Sequence, residues 1–290
     1  MAGFGSRVLL WRCALGLAAC LLAAAPAAAQ SLSGRLLADA RDGQLDEFEF
    51  VSAALVAGGV DDECELGGWL DLYRERRAAL LNDLRLDDLL KSVPASRLQA
   101  IHAALHKTLL TGTYQADASD LRLALSRGDF NCLSSLAIYF DLCQTAGLKI
   151  EIWQRRGHVF LRHGEFDVAV SVEPGARDWA ALRPVRRNQV RPLSPTELLG
   201  KFYYNRGVQL LQRQQFAEGL ELLQISVTLD PTDGDARANI VAGLNNWAVE
   251  QCQRQRYEQA AALIERGLTL DPTFAPLVAN QQLVRAKLRK

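Results

Sequence analysis

The chain has 290 residues, of which 49% are hydrophobic and 23% charged, enough apolar material for one to three globular domains. Lys and Arg total 33, as do Asp and Glu, so the formal net charge is zero and no general attraction to nucleic acid or to a membrane surface follows. The local cluster from Arg177 to Arg191 mixes arginines with prolines and reads as a solvated linker.

Residues 1–29 read as a secretory signal peptide rather than as part of the fold. Arg7 and Arg12 give a positive start, an apolar run follows from Cys13 to Pro26, and Ala27-Ala28-Ala29 precedes Gln30. Leu17-Ala18-Ala19-Cys20 offers a lipoprotein cleavage instead, but the apolar stretch before Cys20 is short and Leu21-Leu22 follow it directly. No later segment has the apolar length of a membrane span, so the expectation is an exported chain. Heavy alanine, arginine and leucine usage suits a bacterial periplasmic protein. Without Cys13 and Cys20, four of the six cysteines remain: Cys64, Cys132, Cys143 and Cys252. They show no C-x-x-C spacing, so no metal site is expected from them. Cys132 and Cys143 lie on one helix, ~16 Å apart at 1.5 Å per residue, and cannot pair; a Cys64–Cys143 bridge stays open.

Residues 30–94 read as a helical region. "LDEFEFVSAALVAGG" stops on Gly58-Gly59, and "DDECELGGWLDLYRERRAALLNDL" is loosely helical. Pro94 interrupts the chain. "RLQAIHAALHKTLL" then places Leu98, Ile101, Leu105 and Leu109 on one helical face, ending at Gly112. It also sets His102 and His106 at i,i+4, a zinc-compatible spacing that lacks a further ligand. Residues 119–126 form a short helix. "GDFNCLSSLAIYFDLCQTAGL" is a longer one, with Cys132 at its start, where free N–H groups and the helix dipole favour a thiolate.

After Gly147 the period changes to two. "LKIEIWQ", "HVFLR" and "FDVAVSV" read as three antiparallel strands, with His163 exposed at a turn. A two-residue turn at Gly164-Glu165 pairs His163 with Phe166, Leu161 with Val168, Val159 with Val170 and His158 with Ser171. Glu173 is then the diagonal neighbour of His158, roughly 7–8 Å away along the backbone. A thiol at a helix start, an imidazole on a strand and a carboxylate on the next compose a nucleophile, a base and an orienting acid: Cys132, His158 and Glu173. No side chain stands out as an oxyanion donor, which leaves the Cys132 N–H.

"LRLALSRGDFNCLSSLAIYFDLCQTAGLKIEI", "RGHVFLR" and "VSVEP" resemble the bacterial transglutaminase-like cysteine-hydrolase superfamily over roughly residues 95–200. The resemblance implies an α+β fold in which Cys132 is the nucleophile, His158 the base and Glu173 the third member, where many relatives carry Asp. It further implies acyl transfer or hydrolysis of a peptide or amide through a Cys132 thioester, with no cofactor. A non-enzymatic envelope scaffold on the same fold is the alternative.

Residues 200–290 change character again. "YYNRGVQLLQRQQFAEGLELLQISVTLDP" and "NNWAVEQCQRQRYEQAAALIERGLTLDP" align at an offset of 41: Asn205 with Asn246, Phe216 with Tyr257, and Asp230-Pro231 with Asp271-Pro272. Small residues recur where helices would cross, at Gly207, Gly219 and Ser226 and at Ala248, Ala260 and Gly267. The pattern resembles the tetratricopeptide repeat, usual period 34, with the seven extra residues lengthening the first helix of the second copy. The resemblance implies paired antiparallel helices that hold a protein partner. Two repeats are too few to stand alone, so they should dock on the preceding domain, with "PLVANQQLVRAKL" as a cap.

Overall fold

The computed structural model describes residues 31–155, 157–164, 166–168 and 190–289. The signal-peptide segment, Glu173 and most of the arginine-rich stretch lie outside them. The chain is predominantly helical with one small antiparallel sheet, an α+β combination as expected.

The described residues begin with the helices α1 (Leu32–Asp39), α2 (Phe50–Ala57), α3 (Glu63–Asp83) and α4 (Leu86–Leu90). They are followed by α5 (Pro94–Thr108), α6 (Leu121–Arg127) and α7 (Cys132–Thr145). Residues 45–49, expected in a helix with α2, precede it as non-helical chain, tied down by Asp39, whose carboxylate accepts from the N–H groups of Asp46, Glu47 and Phe48. Helix α7 is apolar on nearly every face, and Leu133 to Phe140 are all buried. Such a helix must be enclosed on all sides. Helices α2, α5 and α6 pack around it, and the sheet closes its remaining side through β2 (His158–His163).

The sheet also contains β1 (Glu151–Arg155), β3 (Phe166–Val168) and β4 (Val190–Leu193), in the order β3-β2-β1-β4 with every pair antiparallel. His163 pairs with Phe166 and Leu161 with Val168, the expected register; the Val170, Ser171 and Glu173 positions lie outside the described residues. Gly164 has φ +60°, the left-handed conformation that a primed hairpin turn demands. His163 is only half exposed, its Nδ1 2.6 Å from the Lys149 carbonyl. The last two residues of the stretch expected to be a solvated linker, Val190 and Arg191, belong to β4, and Arg191 pairs with both Glu197 and Asp230.

Helix α8 (Pro195–Gln212) runs across the boundary expected near residue 200. A reciprocal capping box fixes its start: Ser194 Oγ accepts from Glu197 N–H, and the Glu197 carboxylate accepts from Ser194 N–H. Leu198, Leu199, Phe202 and Tyr203 join the same core as α7. Arg206 donates to the Ala57 carbonyl at 2.9 Å, and Gln209 to that of Asp117 at 2.9 Å. The helical region therefore begins inside the main core.

Beyond it, α9 (Phe216–Leu229), α10 (Gly234–Gln253), α11 (Tyr257–Leu270) and α12 (Ala275–Leu288) pack in succession. Helices α8–α9 and α10–α11 are two copies of one hairpin. Gln214 and Gln255, 41 residues apart, take the same left-handed conformation, with φ +61° and +59°. Asp230 accepts from the N–H and hydroxyl of Thr232, as Asp271 does from Thr273. The recurring small residues Gly207, Gly219, Ser226, Ala248, Ala260 and Gly267 are all buried.

Candidate active site

Cys132 is the first residue of α7, and its position is built locally. Asn131 caps the helix by accepting from the N–H groups of Leu133 and Ser134 at 2.9 and 3.1 Å, while Ser134 Oγ accepts from Asn131 N–H at 3.0 Å. The cap is itself anchored: Asn131 Nδ2 donates to the Ala116 carbonyl and Ser134 Oγ to that of Ala118. Just upstream, two chain segments cross at glycines. Gly112 N–H donates to the Gly128 carbonyl at 3.1 Å, and a Cβ on Gly112 would come within 2.5 Å of the Asp129 carboxylate. This crossing continues as a parallel bridge between Tyr114 and Phe130, which brings Tyr114 beside the start of α7.

The backbone N–H groups of Val159, Cys132 and Leu133 and the Tyr114 hydroxyl lie near enough to the Cys132 thiol to act on its titration. These favour the thiolate, as a helix start should. Burial nevertheless outweighs them and pushes the thiol above its ordinary range. The depressed thiol expected from the helix start alone is not what the folded chain holds, because α7 is enclosed to its first turn.

His158 opens β2, opposite Arg155 on β1. Burial, with a smaller contribution from the Arg155 charge, pushes its pKa down to about 4, so the ring is neutral near pH 7. Cys132 and His158 line the same cavity, of about 120 Å³. Glu173, the third expected member, lies outside the described residues. Neutral thiol and neutral imidazole are thus the resting forms of the two groups near pH 7.

The rest of the cavity was not anticipated from the sequence. Gln154 lies on β1, and its Oε1 is buried without a hydrogen-bond partner. Lys201, Tyr204 and Asn205 face the cavity from α8, and Asp233 and Asp235 from the start of α10. Lys201 is buried and donates to Asp230 at 3.0 Å and to Asp233 at 2.7 Å, while Asp230 also pairs with Arg191. This network ties β4, α8 and the α9–α10 turn together behind the cavity. The one sequence signal for it was a lysine inside the apolar run "LLGKFYY". Tyr114 had none, since a loop residue carries no periodicity.

The other expected candidates resolve as packing. His102 and His106 have ring centroids 4.6 Å apart, and each stands edge-on to an aromatic ring, Tyr139 and Phe130. Among the described residues no group of three His, Cys, Asp or Glu could hold a metal ion. Cys64, Cys132, Cys143 and Cys252 are all free thiols.

No protein-family model, curated protein or solved structure matches this chain.

Proposed function

We propose that this protein is an exported transglutaminase-like enzyme that forms a thioester on Cys132 with a peptide or amide substrate. The observation that carries the reading is the cavity shared by a helix-start thiol and a neutral imidazole. His158 accepts the thiol proton as Sγ adds to the substrate carbonyl carbon. The carbonyl π pair moves onto oxygen, where the Cys132 N–H stabilises it. The alkoxide then re-forms C=O and expels the amine, which leaves with the proton from His158. Water or a second amine, deprotonated by His158, releases the acyl group. In this scheme Glu173 orients the ring and stabilises the imidazolium. The free Gln154 Oε1 suits a substrate amide N–H. Residues 1–29 carry the export reading, and the two hairpins of α8–α11 are read as tetratricopeptide-like repeats offering a surface to a protein partner.

The cavity volume of about 120 Å³ favours the second reading, an envelope scaffold without turnover, because small-molecule sites are commonly ~300 Å³ or larger. Labelling the purified protein with a thiol electrophile across pH, with site mapping, separates the two. The enzyme reading expects Cys132 to react faster than buried Cys143 and half-buried Cys252, and His158→Ala to slow it. Equal rates, or no effect of His158→Ala, would leave the scaffold.

A further inference from the structure

We propose that the groove between helices α9 and α11, with Trp247 of α10 between them, binds a neutral oligosaccharide. The groove shares no lining residue with the Cys132 cavity, so its function stands apart from the chemistry read there.

Size and shape come first. A cavity of about 720 Å³ lies between the α8–α9 turn, the second half of α10 and the first half of α11. That is within the ~300–1,000 Å³ range of small-ligand sites. A second depression, of about 380 Å³, continues along α9 as far as Thr228, and Ala217 and Trp247 line both. A ligand that fills the groove therefore extends to both sides of Trp247, which calls for a chain of rings rather than a single one.

The lining sets the chemistry. Trp247 is half-buried and stacks on buried Phe216, with ring centroids 6.3 Å apart and planes 14° from parallel. A ring held in this way offers a rigid apolar body to the C–H groups of a flat ligand. Gln214, Gln215, Gln251 and Gln259 set four amides around it. Each amide both donates and accepts, as a sugar hydroxyl does. Gln251 is only 6% exposed; its Nε2 donates to Glu250 at 3.4 Å, while its Oε1 is buried with no hydrogen-bond partner. A buried acceptor without a donor is uncommon and costly, and a ligand hydroxyl supplies the donor.

Charge and shape narrow the choice. Glu218 and Glu250 are balanced by Arg254 and Arg256, and Arg254 already donates to Glu250 at 2.6 Å. The groove therefore selects neither an anion nor a cation. A peptide is the less complementary occupant. The walls are helices and offer its backbone no strand edge, and Leu263 is the one aliphatic side chain larger than alanine among the described residues lining the main cavity.

Isothermal titration calorimetry of the whole protein with cellotetraose, maltotetraose and chitotetraose tests the proposal. At least one should bind, with an affinity that does not change between low and high salt, because the ligand is uncharged. Trp247→Leu removes the ring but keeps an apolar side chain; Gln259→Ala alters an exposed wall position, so its fold should be retained. Circular dichroism and melting temperature check both. Each should weaken the sugar by about 10-fold or more. Gln251→Leu should weaken it similarly without lowering the melting temperature, because the unpaired acceptor is gone. The proposal is overturned if none of the three sugars binds at millimolar concentration, or if folded Trp247→Leu and Gln259→Ala proteins bind as the wild type does. A decapeptide pool that binds in a Trp247-dependent way while the sugars do not would assign the groove to a protein partner and overturn it equally.

Discussion

Replacing Lys201 by Met should destabilise the protein by about 3 kcal/mol, through the two carboxylates it leaves behind. Methionine keeps the unbranched stem, so packing in α8 is largely preserved and the change is mainly electrostatic. Asp230 is fully buried and Asp233 nearly so. Removing one partner of a buried ion pair typically costs about 3–5 kcal/mol, because the remaining charge is uncompensated. Here the lower end applies. Asp230 keeps Arg191 and the two donors of Thr232, and Asp233 keeps the N–H groups of Asp235 and Ala236 on its other oxygen. For a chain of this size, 3 kcal/mol corresponds to roughly 6–12 °C in melting temperature. Urea unfolding followed by circular dichroism at pH 7 measures it. Adding Asp233→Asn should recover part of the loss, giving a coupling energy above ~1 kcal/mol in the double-mutant cycle. A loss under ~1 kcal/mol, or strict additivity, would show that the network behaves as a solvated surface pair and does not lock α8 behind the cavity.

Stability should fall as pH drops from 6.5 toward 4. His102 and His158 are both pushed down to about 4 by burial, so across that window the unfolded chain binds protons the native state refuses; each ring contributes at most about 3 kcal/mol, and a flat pH profile of unfolding would refute it. Gly207→Ala should cost about 1–3 kcal/mol, since its Cβ would lie 2.9 Å from the Gly219 carbonyl oxygen and 2.9 Å from Leu223 Cγ, whereas Gly234→Ala, with open space around it, should be neutral or slightly stabilising in the same melt. Cys143→Ala should cost only the packing of a buried sulfur, about 1–2 kcal/mol, and leave the rate of Cys132 alkylation unchanged; a change in that rate would mean the two thiols are coupled.

The elements legible in the sequence are those whose information is local. The start of α7 follows from Asn131 as a cap with a glycine stop at Gly147, and the β2–β3 register from matching apolar residues about a Gly164 turn. The small residues offset by 41 mark close helix crossings, because a side chain at Gly207 or Gly219 would collide with the facing backbone. Strand β4 was not legible. Its four residues include Pro192, which argues against a strand in most contexts; the edge position beside β1 is where a missing N–H is tolerated. The entry of α8 into the main core was also missed, although "SPTE" carries a capping-box signature, since the self-similarity starts only near residue 203.

The thiol shows how local and global information divide. A helix start places N–H donors at Cys132, and the structure has them there. Whether they yield a resting thiolate depends on how much water reaches the sulfur, and that is decided by chain far away in sequence. Helix α8 and the start of α10 wall the cavity some seventy to a hundred residues after Cys132, held by Lys201, Asp230 and Asp233. The helical region therefore sets the environment of the thiol directly. Loosening that wall should admit water, weaken the burial that raises the thiol, and bring the sulfur closer to the range its helix position alone would give. On this argument Tyr204→Ala, which opens the α8 wall of the cavity without changing its charge, should move the Cys132 alkylation midpoint to lower pH. An unmoved midpoint in a folded Tyr204→Ala protein would mean that burial by the main core alone controls the thiol.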